Sequence, residues 1–154
     1  MAGAKINAAA ADSAALAGSQ PLLRAKRYLV SGRNSGERRF ITDMLKVMGA
    51  SRISQTASAA EADFECLVRR PDMLVWITGA EEMNDVAAFV ELTMKRGGKR
   101  PPMIAICAAC SKPFMQEALR LGVGSVLLRP FSPSRLAAHI VRAEQNREQL
   151  FELD

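Results

Sequence analysis

Cysteine, histidine and aromatic residues are scarce in this 154-residue chain, and each scarcity excludes something. Three cysteines, Cys66, Cys107 and Cys110, are too few and odd in number for a disulfide framework, so the chain suits a reducing compartment. No apolar run approaches the ~20 residues of a membrane span. The Ala-rich amino terminus, with Lys5 its only early charge, makes a poor secretory signal, and the expected location is cytoplasmic. Aromatics make up 5% of the residues and no long run of like charge occurs, which leaves little with which to stack on or grip nucleic acid.

What remains is the profile of a soluble globular protein, 49% apolar and 24% charged, with enough length for one domain and a real core. A net charge of +5 and a pI near 9.5 favour acidic partners. That excess is scattered through pairs such as Arg38-Arg39, Arg69-Arg70 and Lys99-Arg100, each readable simply as solvated surface.

Residues 1–22 carry no apolar periodicity and read as a flexible tail; residues 23–149 read as one domain, and 150–154 as a short carboxyl-terminal tail. Within the domain, short apolar runs alternate with amphipathic stretches, the signature of βα units around a parallel sheet. The expected strands are Lys26–Ser31, Arg52–Thr56, Met73–Ile77, Met103–Ala108 and Ser125–Leu128. Ser35 is placed to cap the first helix, whose apolar positions are Phe40, Ile41, Met44, Leu45 and Met48 before Gly49. Ser58 and Glu61 form a capping box for a second helix, expected to bury Phe64, Leu67 and Val68 and to end before Pro71. A third helix spans roughly Asp85–Arg96, and a fourth, capped by Ser111, runs to Leu121. The last starts near Pro133 and continues to about Gln149, with Leu150-Phe151-Glu-Leu153 either a helical extension carrying an apolar patch or a frayed end. Met73–Ile77 is apolar on both faces, as a central strand covered on both sides must be.

Several segments together resemble the receiver domain of bacterial two-component response regulators, a flavodoxin-like doubly wound (βα)5 fold. They are Arg27-Tyr-Leu-Val30, Pro71-Asp-Met-Leu-Val-Trp-Ile77, Met83-Asn84, Ala118-Leu-Arg-Leu-Gly122 and Leu128-Arg-Pro-Phe-Ser-Pro133, and the resemblance covers roughly residues 24–145. It implies a five-stranded parallel sheet with helices on both faces and a functional crevice at the carboxyl ends of the strands.

The chain departs from that family at every position of phosphoryl chemistry. The acidic pair that holds magnesium after the first strand corresponds to Gly32 and Arg33, and the acceptor aspartate to Ile77. The hydroxyl residue corresponds to Cys107, the lysine to Arg129, and the aromatic residue that often reports activation to Val126. A hard divalent cation needs carboxylate oxygens, and isoleucine offers no nucleophile. Asp72 lies at the opposite end of its strand, ~16 Å from Ile77 at strand rise, and Asp85 sits where a helix cap is expected. The resemblance therefore implies a pseudo-receiver with no metal and no cofactor. No recognisable nucleophile with its base, phosphate loop or carboxylate pair argues for an enzyme.

Three further groups bear on function. Cys107-Ala-Ala-Cys110 has redox or zinc spacing but lacks a second ligand pair, and two packed small apolar residues are the simpler reading. Arg33, Lys112 and Arg129 can converge into a basic crevice for an anion, a nucleotide such as cyclic di-GMP or a partner's carboxylate; alternatively Arg33 and Lys112 point into water while Arg129 packs along its stem. Trp76 is expected beneath the crevice as a core residue. Receivers speak to partners through their fourth helix, fifth strand and fifth helix, here Gln116, Leu119, Arg120, Val126, Arg135, His139 and Arg142. The resemblance thus implies a stand-alone protein that acts by protein–protein contact, with a histidine kinase, a phosphotransferase, a response regulator or a second copy as its partner.

Overall fold

In a computed structural model, residues 24–79 and 82–153 are described; the expected tail 1–22 lies outside them. Ten elements alternate without exception. They are β1 (Arg27–Ser31), α1 (Ser35–Val47), β2 (Arg52–Thr56), α2 (Ala59–Arg69), β3 (Met73–Ile77), α3 (Asn84–Arg96), β4 (Met103–Cys107), α4 (Lys112–Arg120), β5 (Ser125–Leu128) and α5 (Pro133–Leu153). All strands are parallel in the order β2-β1-β3-β4-β5, the doubly wound (βα)5 arrangement expected from the sequence. The chain steps outward from β1 to β2 and then returns to β3 on the other side of β1, so the topological switch point lies between β1 and β3.

Strand alternation divides the core in two. Tyr28 and Val30 of β1, with Met73 and Val75 of β3, face α1 and α5, where Ile41, Leu45, Leu136 and Ile140 complete one cluster. Leu29, Leu74 and Trp76 face α2, α3 and α4 and pack with Ala62, Cys66, Phe89, Phe114 and Ala118. Trp76 meets Phe89 edge to face, with ring centroids 5.4 Å apart, and is the core residue anticipated.

Helix termini follow local chemistry, with two shifts. Asn34, not Ser35, caps α1: its side chain accepts the Glu37 N–H at 3.0 Å, and Ser35 is the first helical residue. Ser58 accepts the Glu61 N–H as expected, while Glu61 reaches back to the Ala57 N–H rather than to that of Ser58. Helix α5 runs on to Leu153, beyond the expected end near Gln149.

Helix α2 overturns an expectation. Phe64, Leu67 and Val68 are 62%, 54% and 58% exposed, whereas Ala59, Ala62 and Cys66 face the sheet. Trp76 and Phe89 already fill the space beneath α2, so only small side chains fit between helix and sheet. Phe40 on α1 is likewise 61% exposed, while Ile41 and Leu45 next to it are buried.

Candidate functional site

The carboxyl ends of β1 and β3 open into a crevice of about 360 Å³. Its walls come from the β1–α1 turn (Arg33, Asn34, Glu37), the end of β3 and the segment beyond it (Trp76, Ile77, Thr78, Glu82), the start of α3 (Asp85) and Arg129 after β5. Two guanidiniums and three carboxylates share this space, and most are already paired. Arg33 Nε and Nη2 donate to Asp85 Oδ2 and Oδ1 at 3.0 and 3.1 Å, a fork-on-carboxylate geometry. That hydrogen bond, then the carboxylate's charge, raises the Arg33 guanidinium above its ordinary value. Arg129 Nη2 donates to the Thr78 carbonyl at 3.2 Å and meets Glu37 Oε2 at 3.1 Å.

This geometry corrects the expected basic crevice. Arg33 and Arg129 line it, but Lys112 does not: it opens α4 as an exposed residue away from the walls. Asp85 is no helix cap either. Met83 holds that position without a side-chain bond, which leaves the Asp85 carboxylate to Arg33. Cys107 is fully buried in the α2–α3–α4 cluster and contributes nothing to the crevice walls.

Two of the carboxylates in the crevice, Glu37 and Glu82, come from positions outside the family's motifs, and the third, Asp85, was expected only as a helix cap. Glu37, Glu82 and Asp85 lie in the segments that follow β1 and β3, so location at the strand ends is the signal by which the sequence marks them.

At the point where β1 and β3 come together, Gly32 has its own structural demand. A Cβ built there would lie 2.9 Å from Ile77 Cβ and 3.3 Å from the Ile77 carbonyl oxygen, closer than packed atoms allow. Arg38 Nη1 donates to the Gly32 carbonyl at 2.6 Å and holds this turn from α1. Among the described residues the crevice is a poor fit for a divalent cation: β1 ends without a carboxylate, Asp85 is paired with Arg33 and Glu37 with Arg129, and Glu82 alone of the lining carboxylates has no ion pair. Among the described residues, no group of three or more His, Cys, Asp or Glu side chains is placed to hold a metal.

Scans of the sequence against protein-family models and against curated proteins return no match. Solved structures do match. The receiver domain of the histidine kinase CKI1 from Arabidopsis thaliana, complexed with Mg2+ and BeF3-, has a TM-score of 0.68 at 27% identity, covering 84% of this chain and 97% of that one. Chemotaxis protein CheY4 from Vibrio cholerae gives 0.66 at 19% identity, over 77% and 98%. A pilus assembly-related protein from Burkholderia pseudomallei gives 0.65 at 21%, over 79% and 90%. The fold is that of a response-regulator receiver domain.

On this fold the residues expected at a partner face are placed differently from one another. Gln116, Leu119 and Arg120 on α4, and Arg135 and Arg142 on α5, are exposed, with Arg120 forked onto Glu117. Val126 is half-buried and packs on the core. His139 is not on that face: it is buried between α5 and β5 and shares a hydrogen bond with Ser125 Oγ. Burial lowers its imidazole below the ordinary value, and the cations Arg142 and Arg135 add to the shift.

The cysteines are packing residues. Burial pushes the Cys66 thiol up to about 12, which leaves it protonated at neutral pH. Cys110 is half-buried against the same core cluster, its thiol 3.7 Å from the Ser111 carbonyl. Among the described residues no helix is long and apolar enough to cross a membrane.

Proposed function

We propose that this receiver-fold protein is a phosphorylation-independent pseudo-receiver: a binding module of two-component signalling, not an enzyme, whose output is contact with another protein in the cytoplasm. One observation carries the reading. At the switch point, β3 ends in Ile77 beside Gly32, and of the crevice carboxylates Asp85 is held by Arg33 and Glu37 by Arg129, which leaves only the exposed Glu82 outside an ion pair among the described residues. The CKI1 receiver was solved with Mg2+ and BeF3-; in this crevice isoleucine ends β3, and among the described wall residues two of the three carboxylates are held by guanidiniums.

A nucleotide-sensing reading loses support for the same reason. The crevice holds more carboxylates than guanidiniums, and both guanidiniums are engaged, so a phosphate would have to displace two ion pairs to bind. The test is incubation with acetyl phosphate and magnesium followed by intact-mass measurement. The expected result is an unchanged mass. A phosphoryl adduct that survives mild acid and is lost with hydroxylamine, as an acyl phosphate would be, overturns the proposal.

A further inference from the structure

Helix α2 is amphipathic in an unusual sense: small residues face the sheet and large apolar ones face solvent. Phe64, Leu67 and Val68 stand at i, i+3 and i+4, so they form one ridge along the outer side, with Ala60 and Glu61 exposed in the turn before it. No described residue covers this ridge. A contiguous apolar surface on a helix asks for another apolar surface, and the charges around it say which one.

Those charges are segregated by sign. Glu61 precedes the ridge, while Arg69 and Arg70 follow it. Glu61 binds the Ala57 N–H through one oxygen and Arg69 meets Glu65 at 3.3 Å, yet Glu61, Arg69 and Arg70 all remain exposed. A partner helix that matches this layout must carry an apolar ridge with basic residues opposite Glu61 and acidic ones opposite Arg69. The same helix run in reverse meets both requirements. With a two-fold axis between residues 65 and 66, Phe64 of one copy meets Leu67 of the other, and Glu61 meets Arg69 and Arg70 at both ends. A parallel pairing would set like charge on like. The chain's net charge of +5 opposes self-association, so the local alternation of sign decides the orientation.

We infer that the protein forms an isologous homodimer through antiparallel packing of α2 on α2. This is not the face formed by α4, β5 and α5, and the inference does not depend on whether the crevice accepts a phosphoryl group.

Sedimentation velocity on the full chain tests it, from about 5 to about 500 μM, a range that covers dissociation constants of weak dimers. The mean mass of the wild type is expected to rise from 16.7 kDa toward double that value. Leu67→Asp, a change at an exposed position, should weaken association at least ~10-fold, with an unchanged circular dichroism spectrum. Glu61→Lys and Arg70→Glu, the residues that face each other across this two-fold, should each weaken the dimer, and the double reversal should restore it, because opposite charges again face each other. A wild type that stays monomeric throughout overturns the inference and leaves the ridge to a different protein. So does a Leu67→Asp variant that dimerises as well as wild type, or a double reversal no better than the two single changes.

Discussion

The crevice and the outer face of α2 lie on one small domain but stand in opposite states of satisfaction. In the crevice nearly every charge has found a partner within the chain: Arg33 on Asp85, Arg129 on Glu37 and the Thr78 carbonyl, Arg38 on the Gly32 carbonyl. On α2 three large apolar side chains have found none. At the location that family resemblance marks as functional, most charges are therefore paired within the chain, while a helix that resemblance leaves unremarked carries an uncovered apolar ridge. Fold similarity finds the site; satisfaction of the groups there decides whether it still has work to do.

The sharpest way to test the contrast is to truncate the same residue type on each side of α2. Phe89, fully buried against Trp76, should cost ~3–5 kcal/mol as Phe89→Ala, which urea unfolding measures directly. Next is the switch point, where Gly32→Ala forces a Cβ against Ile77 and should cost ~1–3 kcal/mol in the same assay, because the obstructing atoms are Cβ and backbone rather than a flexible chain end.

A smaller effect concerns pH. The folded His139 holds its proton more weakly than the usual 6.5, so the unfolded chain takes up the proton first as pH falls. Its contribution is intact above about 6.5 and is lost as pH drops from there toward the lowered folded value. His139 is the chain's single histidine, so His139→Gln should flatten the stability profile between pH 7.5 and 5.5 by more than it changes the profile above that range. Smallest of all, Phe64→Ser at low protein concentration should leave monomer stability within ~0.5 kcal/mol of wild type. If Phe64→Ser proved as costly as Phe89→Ala, α2 would be packed the other way round.

Much of the fold was legible because strands and their stops are local. β2, β3 and β5 fall at the residues expected, since each is a short β-rich run between turn or capping residues. The orientation of α2 was not, because a 3.6-residue period marks two stripes on this helix, Phe64/Leu67/Val68 and Ala59/Ala62/Cys66, and says nothing about their order of size. What decides is Trp76 on β3 and Phe89 on α3, which occupy the volume that large α2 residues would need. The crevice divided in the same way. Gly32, Arg33, Ile77 and Arg129 lie around the strand ends as expected, yet their effect on local charge depends on Glu37 and Glu82, which stand outside the family's motif positions, and on Asp85, which was expected only as a helix cap. For Lys112 the exposed alternative is the one that holds, and His139 went astray because helix period does not reveal which neighbour a side chain meets across an interface.

The contact between Gly32 and Ile77 sets a condition on redesign. Where two strand ends leave room, acidic side chains can be installed one at a time. Here the first carbon of any new side chain at position 32 meets main-chain and Cβ atoms of residue 77, and those Cβ atoms remain whatever residue replaces the isoleucine. Placing an acidic pair at these two positions would therefore need the strand ends to shift apart as well as the side chains to change, so a designed metal site here is a task for the backbone before it is one for the carboxylates.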